Sequence, residues 1–306
     1  MNAPVQFGKI SKPGFYDLPM DEYHGQCCIG PSVSGSGLVM IEQKSLAHFW
    51  QQSSLNPNAT PKKDTPALRI GQAAHTIILE GEEKFRKTVV VKPEGHDGRT
   101  KEGKAWLAEH AGLAEAGTPI ISHDDWLMLK AMAASIAAHP LARQAFADGS
   151  PEKTCIWQDS QTGIYLKTRP DWFPSGSRFF PNYKTTRNAR PDKFERDAFD
   201  LGYHQGAALC IDILTALGID NPIYFFVAQE KEPPYVTTVA TMKDAALDWG
   251  RLQNRHALDR LHAALDAGEW PGYSEGVVEI DMPAYIERRL DQRHESGQFT
   301  NTVVGV

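Results

Sequence analysis

The sequence predicts an α/β fold in which helices flank a mixed central β-sheet. One observation is the continuous apolar run at residues 222–229, which is typical of a buried central strand. A second is the pair of strand-like segments at 152–159 and 163–172, which are joined at a Thr-Gly turn. A third is the long segment 243–267, whose leucines recur at helical spacing. Helices followed by strands, and then by helix, strand and helix, indicate one layered α/β domain.

The other elements follow from the same patterns. Turn residues and apolar periodicity predict helices at 38–50, 66–79, 102–115, 123–147, 192–217, 243–267 and 283–294. They predict strands at 87–92, 152–159, 163–172, 178–186, 222–229, 235–242 and an edge strand at 277–281. Ser122 and Asp125 form a predicted capping box, and Pro140 is expected to end or bend the helix that follows.

Length and composition indicate a globular protein. With 306 residues, 41% of them hydrophobic and 23% charged, the chain is long enough to bury a large core. We expect a single domain over 1–306, with an N-terminal loop at 1–35 and a tail at 295–306.

Charge and hydropathy exclude some functional classes. The net charge of −6 argues against a protein that coats nucleic acid nonspecifically, although it leaves room for a locally basic cleft. No apolar run is long enough for a membrane span, and the N-terminal residues lack the apolar segment of a signal peptide. The four cysteines show no metal-ligand spacing, so free thiols in the cytoplasm are expected.

The most informative stretch is 163–186, which we interpret as a hairpin turning at 174–177. Asp171 ends its first strand, and Asn182 and Lys184 share one face of the second because side chains alternate along a strand. An acid followed by carboxylate-x-Lys is how a PD-(D/E)xK nuclease builds its metal site. Here the second acid is replaced by the amide of Asn182.

These residue types suit metal-dependent phosphodiester hydrolysis. Hard oxygen ligands such as Asp171 and the Tyr183 carbonyl recruit Mg²⁺ or Mn²⁺, and His75 offers a nitrogen that Mn²⁺ tolerates better. Lys184 is placed to orient or deprotonate water or to stabilise developing charge. Glu152 begins a strand and could line the same cleft. Taken singly, each has a structural explanation, such as a core histidine, a turn aspartate or a surface charge.

Two further segments could contact DNA phosphates. Ser34 and Ser36 precede a helix, where capping is the more usual role and phosphate binding the alternative. Arg99, Lys101 and Lys104 lie in a polar loop that is either simply solvated or a mobile basic loop against a phosphate backbone.

The order and spacing of these motifs resemble the nuclease domain of the exodeoxyribonuclease VIII (RecE-type) family of phages and prophages, within the PD-(D/E)xK superfamily. The resemblance covers roughly residues 14–290. The motifs that carry it are Tyr23-His24, Ser34-x-Ser36-x-Leu38, Gly71-x3-His75, Leu79-Glu80, Glu152, Lys167-x-Arg169-Pro-Asp171-Trp172, Tyr183-Lys184-Thr185-Thr186, Gly202-Tyr203-His204, Glu230-x-x-Pro233-Pro234-Tyr235 and Trp270-x-Gly272-Tyr273.

The resemblance implies a Mg²⁺-dependent exonuclease that digests linear duplex DNA 5′→3′ and leaves a 3′ single strand for recombination. It also implies a ring-like homo-oligomer, a single-strand annealing partner (RecT-like) and a location in the cytoplasm of a bacterial host. The implied metal ligands are His75, Asp171 and residue 182, with Lys184 catalytic. The implied supporting and DNA-contacting residues are Glu80, Glu152, Arg169, Thr185, Tyr203 and Gln205.

Two departures from the family pattern matter. Asn182 stands where the family has Asp, so metal affinity and activity are expected to be impaired. Gln205 is followed four residues later by Leu209, where the family usually has Tyr. Three hypotheses therefore stay open: an exonuclease weakened by Asn182, a module that binds DNA ends without cutting, and a nuclease of another kind such as an endonuclease or an RNA-processing enzyme.

Overall fold

The computed structural model describes residues 5–60 and 65–299. The chain divides into two compact units, Met1–Trp270 and Pro271–Val306, and the expectation of a single domain stays a prediction. No helix in the described ranges is both long and apolar enough to cross a membrane.

Helices and strands together build the larger unit. The strands are β1 (Gly14–Tyr16), β2 (Ser32–Ser34), β3 (Val90–Val91), β4 (Ile120–Ile121), β5 (Gly149–Pro151), β6 (Thr154–Gln158), β7 (Tyr165–Thr168), β8 (Trp172–Pro174), β9 (Phe179–Thr186), β10 (Ile223–Glu230) and β11 (Thr237–Thr241). The helices are α1 (Met20–His24), α2 (Gly35–Gln43), α3 (Leu46–Gln52), α4 (Pro66–His75), α5 (Gly81–Thr88), α6 (Lys101–Glu109), α7 (Ala111–Glu115), α8 (His123–Ala138), α9 (Pro140–Ala145), α10 (Pro191–Asp200), α11 (Tyr203–Ala216), α12 (Asp244–Ala267) and, in the smaller unit, α13 (Ala284–Glu295).

The predicted α/β class is confirmed, with two mixed sheets in place of one. One sheet has the order β1-β6-β7-β2, in which β2 and β7 are parallel and the other pairs antiparallel. The other has the order β11-β10-β9, in which β9 and β10 are parallel and β10 and β11 antiparallel. Two further pairs, β3 with β4 and β5 with β8, are short.

The three-stranded sheet is covered by helices on both faces. Tyr183 and Val227 on one face pack into a core cluster with Leu129 and Met132 of α8. Phe226 on the other face packs into a cluster with residues of α10 and α11. A third cluster joins α2, α3, α11 and α12 to the four-stranded sheet. Burial on both faces explains why 222–229 is apolar throughout.

The β6/β7 pair and the β5/β8 pair belong to one long, bent hairpin. Cys155 lies opposite Thr168 in β6/β7, and Pro151 lies opposite Trp172 in β5/β8, so the two ladders keep the same antiparallel register. The interruption between them falls at Pro170, which has no N–H to donate, and at Glu152, whose φ of 54° is left-handed. The predicted turn at Thr162-Gly163 is confirmed. The interruption at Glu152 and Pro170 bends the hairpin, and Asp171 lies at this bend.

The hairpin predicted over 163–186 is wrong. Its two strands, β8 and β9, do not pair with each other, because β8 pairs with β5 and β9 pairs with β10. The polar turn at 174–177 connects two sheets instead. An apolar strand next to a turn does not reveal which partner it takes, and here long-range pairing prevails over local pairing.

Several predicted helices are divided. The 38–50 helix breaks at Ser45, whose side chain accepts the His48 N–H and starts α3. The 102–115 helix divides at His110, and the 192–217 helix divides at Gly202, whose φ of 70° suits glycine. The predicted capping box of Ser122 and the break at Pro140 are confirmed.

Other boundaries also differ from expectation. The 66–79 helix ends at His75 and continues as one π-helical turn, Thr76–Glu80, before α5 occupies the start of the predicted 87–92 strand. The N-terminal loop at 1–35 contains β1, α1 and β2. Residues 277–281 form no strand, and their apolar side chains are exposed. Part of the predicted 295–306 tail lies outside the described residues.

Candidate active site

Asp171 lies at the bend of the long hairpin, against the open edge of β9. Its backbone carbonyl accepts the Glu152 N–H at 3.1 Å, which continues the hairpin register through the interruption. Its carboxylate accepts the Tyr183 N–H at 2.6 Å. Because β10 occupies the other edge of β9, this N–H would otherwise have no strand partner. The buried carboxylate is thereby fixed relative to the strand that carries Asn182 and Lys184.

Two cationic or metal-binding groups converge on the same carboxylate oxygen. Lys184 Nζ lies 3.9 Å from Asp171 Oδ2, and His75 Nδ1 also lies 3.9 Å from that atom. His75 is the last residue of α4, immediately before the π-helical turn, a distortion that often accompanies functional sites. Its ring makes an edge contact with the Tyr183 ring at 5.4 Å. The structure thus brings together three residues that are far apart in sequence.

Asn182 is buried on the same strand, and its Oδ1 has no hydrogen-bond partner. A buried polar atom without a partner costs about 1–3 kcal/mol, so its retention calls for an explanation. A cation bound by this oxygen would satisfy it. The donor set of a carboxylate, an amide oxygen and an imidazole nitrogen fits Mn²⁺ or Mg²⁺, with the Tyr183 carbonyl as the further predicted ligand.

The set is poorer in charge than a typical hard-cation site. Among the described residues, no group of three or more His, Cys, Asp and Glu is arranged to hold a metal. His75 and Asp171 supply only two such residues, since Asn182 is an amide. The predicted ligand set therefore contains one carboxylate, that of Asp171.

The side chain of Tyr183 is held by Gln229, a residue that the sequence analysis did not single out. Its hydroxyl donates to Gln229 Oε1 at 2.8 Å, and Gln229 Nε2 donates to the Met132 carbonyl at 2.9 Å. Burial raises the pKa of the Tyr183 phenol, so this hydroxyl stays a neutral donor. The only sequence signal was a polar residue within the otherwise apolar 222–229 run.

Tyr203 contacts the lysine side of the site. Lys184 Nζ lies 5.6 Å from the Tyr203 ring centroid, and that ring stacks on Phe226 at 5.6 Å. Burial raises the pKa of the Tyr203 phenol, with the charges of Asp197 and Asp171 acting in the same direction. Thr185 follows Lys184 on β9 and lines one cavity together with Tyr203.

Glu152 and Arg169 form an ion pair next to Asp171. Arg169 Nη2 lies 3.1 Å from Glu152 Oε2, while Nη1 donates to the Leu18 carbonyl at 2.8 Å. The guanidinium of Arg169 therefore links Glu152 to the Leu18 carbonyl, and its role as a DNA contact stays a prediction.

Glu80 lies near this ion pair. Partial burial raises the pKa of Glu80, and the neighbouring Glu152 also raises it, whereas Lys84 and Arg169 oppose the shift.

Ser34 and Ser36 do not cap α2 with their side chains, which corrects the expectation of plain capping. Ser34 occupies the N-cap position without a side-chain cap, and the two hydroxyls lie 3.0 Å apart. Their alternative role in phosphate binding stays a prediction.

Within the described ranges, no hydrogen bond or ion pair joins the basic loop to His75, Asp171 or Lys184. Arg99 pairs with Asp97 at 2.8 Å, while Lys101 and Lys104 are exposed on α6.

Gln205 is fully buried, and neither side-chain amide atom has a hydrogen-bond partner. Its backbone carbonyl accepts from Asn254 of α12 at 2.8 Å.

Comparisons with known proteins agree with this architecture. The crystal structure of a candidate exonuclease from Eubacterium rectale superposes with a TM-score of 0.60 at 13% identity, over 89% of this chain and 98% of that chain. At this identity the likeness shows the fold alone. The comparison with curated proteins found no relative. A family model of a PDDEXK-like domain of unknown function (DUF3799) matches residues 34–282. The chain therefore belongs to this PDDEXK-like family, and the predicted nuclease fold is confirmed.

Proposed function

We propose that this protein is a divalent-metal-dependent exonuclease of linear double-stranded DNA, weakened by Asn182. The observation that carries the proposal is the Asp171 carboxylate, whose Oδ2 lies 3.9 Å from both Lys184 Nζ and His75 Nδ1. The buried Oδ1 of Asn182, on the strand that carries Lys184, has no hydrogen-bond partner. The PDDEXK-like family membership supports a hydrolytic nuclease.

The residues have two roles, which are to bind a cation and to stabilise or transfer charge during hydrolysis. Asp171, Asn182 and His75 would hold Mg²⁺ or Mn²⁺, which when bound activates water and neutralises phosphate charge. Lys184 donates hydrogen bonds where negative charge develops on the phosphoryl oxygens, or accepts the proton of the attacking water if it is deprotonated. The Tyr183 N–H and Gln229 keep Asp171 and β9 in fixed relation throughout.

The finer points rest on the resemblance to the exodeoxyribonuclease VIII family. They are the 5′→3′ polarity, the release of a 3′ single strand for recombination, the ring-like homo-oligomer and the RecT-like annealing partner. The phage or prophage origin and the cytoplasmic location of the protein belong to the same proposal.

A second candidate function is a module that binds DNA ends without cutting them. Asn182 favours it, since one neutral oxygen replaces a carboxylate at a metal position. Retention of His75, Asp171 and Lys184 in contact geometry favours the enzyme, because a binding module does not need all three.

The test is digestion of DNA labelled at either the 5′ or the 3′ end, with Mg²⁺ or Mn²⁺, beside Lys184→Ala. We expect slow loss of the 5′ label from linear duplex, no attack on closed circles, and no activity in the variant. Cutting of closed circles would replace the proposal with an endonuclease. Binding of ends without any cutting would favour the second candidate.

A further inference from the structure

A cavity next to Lys184 is not used by the proposed chemistry. Strands β9 and β10 are parallel, with Thr186 opposite Glu230, so both end at the same edge of the sheet. Arg187 and Lys231 are the next residues of the chain on the two strands. Ligands of α/β proteins commonly bind at the carboxyl ends of parallel strands.

The cavity measures about 440 Å³ and has two chemically different walls. Arg187 and Lys231 lie on the strand side, while Asp197 and Asp200 line it from α10. Tyr203 lines it as well, and the ring of this residue lies 5.6 Å from Lys184 Nζ. The cavity therefore adjoins the catalytic lysine, and its volume falls in the range of pockets that hold small ligands.

The basic wall stands on a fixed backbone. Glu230 Oε1 accepts the Ala189 N–H at 2.8 Å, and Thr238 Oγ1 donates to the Ala189 carbonyl at 2.6 Å. Thr186 Oγ1 accepts the Asn188 N–H at 3.3 Å. These bonds hold the loop that follows β9 against β10 and β11, so Arg187 projects from a supported segment.

Arg187 and Lys231 differ from the neighbouring cations in having no acidic partner. Arg190 pairs with Asp192, and Arg169 pairs with Glu152. Within the part of the chain that the structure describes, neither Arg187 nor Lys231 forms an ion pair or a side-chain hydrogen bond. Two unpaired cations at one strand edge leave guanidinium and ammonium donors available for an anion.

We propose that this cavity binds one nucleotide of the substrate strand next to the scissile bond, with its phosphate held by Arg187 and Lys231. The inference rests on the proposed nuclease function and names a subsite of it. Asp197 and Asp200 repel phosphate from the helix wall, so the phosphate faces the strand ends. Their carboxylates accept hydrogen bonds from the exocyclic amino groups of a base.

The experiment measures binding of a fluorescein-labelled blunt duplex, with Ca²⁺ replacing Mg²⁺ to suppress cleavage, over a series of salt concentrations. Arg187→Ala and Lys231→Ala should each weaken binding roughly tenfold and reduce the slope of log K against log salt by about 1. Arg190→Ala is the matched control, since Arg190 is an exposed cation three residues away that already pairs with Asp192. It should change neither quantity.

A competition arm separates a nucleotide site from a simple phosphate site. A deoxynucleoside monophosphate should displace the duplex from the wild type at concentrations where inorganic phosphate does not, and this difference should disappear in Arg187→Ala. Equal competition by inorganic phosphate overturns the nucleotide assignment. Wild-type binding with an unchanged slope in both variants overturns the subsite alone, whereas failure of the wild type to bind duplex DNA overturns the proposed function as well.

Discussion

The Asp171 carboxylate accepts the backbone N–H of Tyr183 at 2.6 Å, which links two strands that do not pair with each other. This single bond brings the bend of the long hairpin to the open edge of β9. Lys184 and His75 then reach the same carboxylate oxygen. The candidate site is thus built on strand and helix ends that the core holds in place.

Asp171→Asn removes the charge but keeps an oxygen that can accept the Tyr183 N–H. We expect the fold to persist, nuclease activity to fall by about 10²–10³-fold and Mn²⁺ binding to be lost in calorimetry. Asp212→Asn is the control, because Asp212 is a half-exposed carboxylate paired with Arg251 at 2.9 Å. Equal Mn²⁺ binding by Asp171→Asn and the wild type would exclude Asp171 as a ligand.

Lys184→Met keeps the length of the side chain and removes its charge. Turnover should fall by about 10²–10⁴-fold because the group that stabilises or transfers charge is gone. Mn²⁺ affinity should hold or rise, since a cation near Asp171 is removed. Lys193→Met, a change at a half-buried position on α10, should alter neither value. Loss of both metal binding and activity in Lys184→Met would indicate a structural role instead.

Tyr183→Phe leaves the Gln229 Oε1 without its buried donor. We expect the free energy of unfolding in urea to fall by about 1–3 kcal/mol. Tyr285→Phe is the matched control, because Tyr285 is 65% exposed, and it should change stability little. A fully stable Tyr183→Phe protein would show that the Tyr183–Gln229 bond does not hold β9.

Glu80→Gln tests the raised pKa of Glu80, a carboxyl close to Glu152 and Arg169. Partial desolvation raises the pKa of Glu80 above its unfolded value. The stability that the protonated Glu80 carboxyl contributes is therefore complete below pH 4.5 and is lost as pH rises through the folded pKa. The variant should therefore gain stability over the wild type at pH 7 and lose that advantage at pH 4. Urea midpoints at the two values check this. A greater advantage at the lower pH would reverse the inferred shift.

The sequence predicted the elements of this site better than their pairing. Alternation along 178–186 placed Asn182 and Lys184 on one face, and apolar periodicity predicted the helix that carries His75, although not its end at that residue. Helix interruptions at Ser45 and Gly202 were missed because the apolar pattern continues across them. Strand partners are set by burial over long distances, which a local pattern does not record.

Residues whose role depends on distant partners were also missed. Gln229 is a buried polar residue near the end of a largely apolar strand, and its role depends on its hydrogen bonds to the Tyr183 hydroxyl and the Met132 carbonyl. Arg187 and Lys231 lie 44 positions apart and meet only because β9 and β10 are parallel. In contrast, the amide at position 182, where the PD-(D/E)xK pattern predicts an acid, was evident from the motif alone.

The most direct test of the central claim compares this protein with Asn182→Asp on linear and nicked-circular duplex DNA, with Mn²⁺ or Mg²⁺. The added carboxylate should tighten Mn²⁺ binding and speed digestion of linear DNA by at least about tenfold, because ligand charge sets the affinity for hard cations. Nicked circles should resist, since they offer no duplex end. If the variant binds DNA ends yet cuts no faster than this protein, the metal-site account is contradicted and the non-cleaving module takes its place.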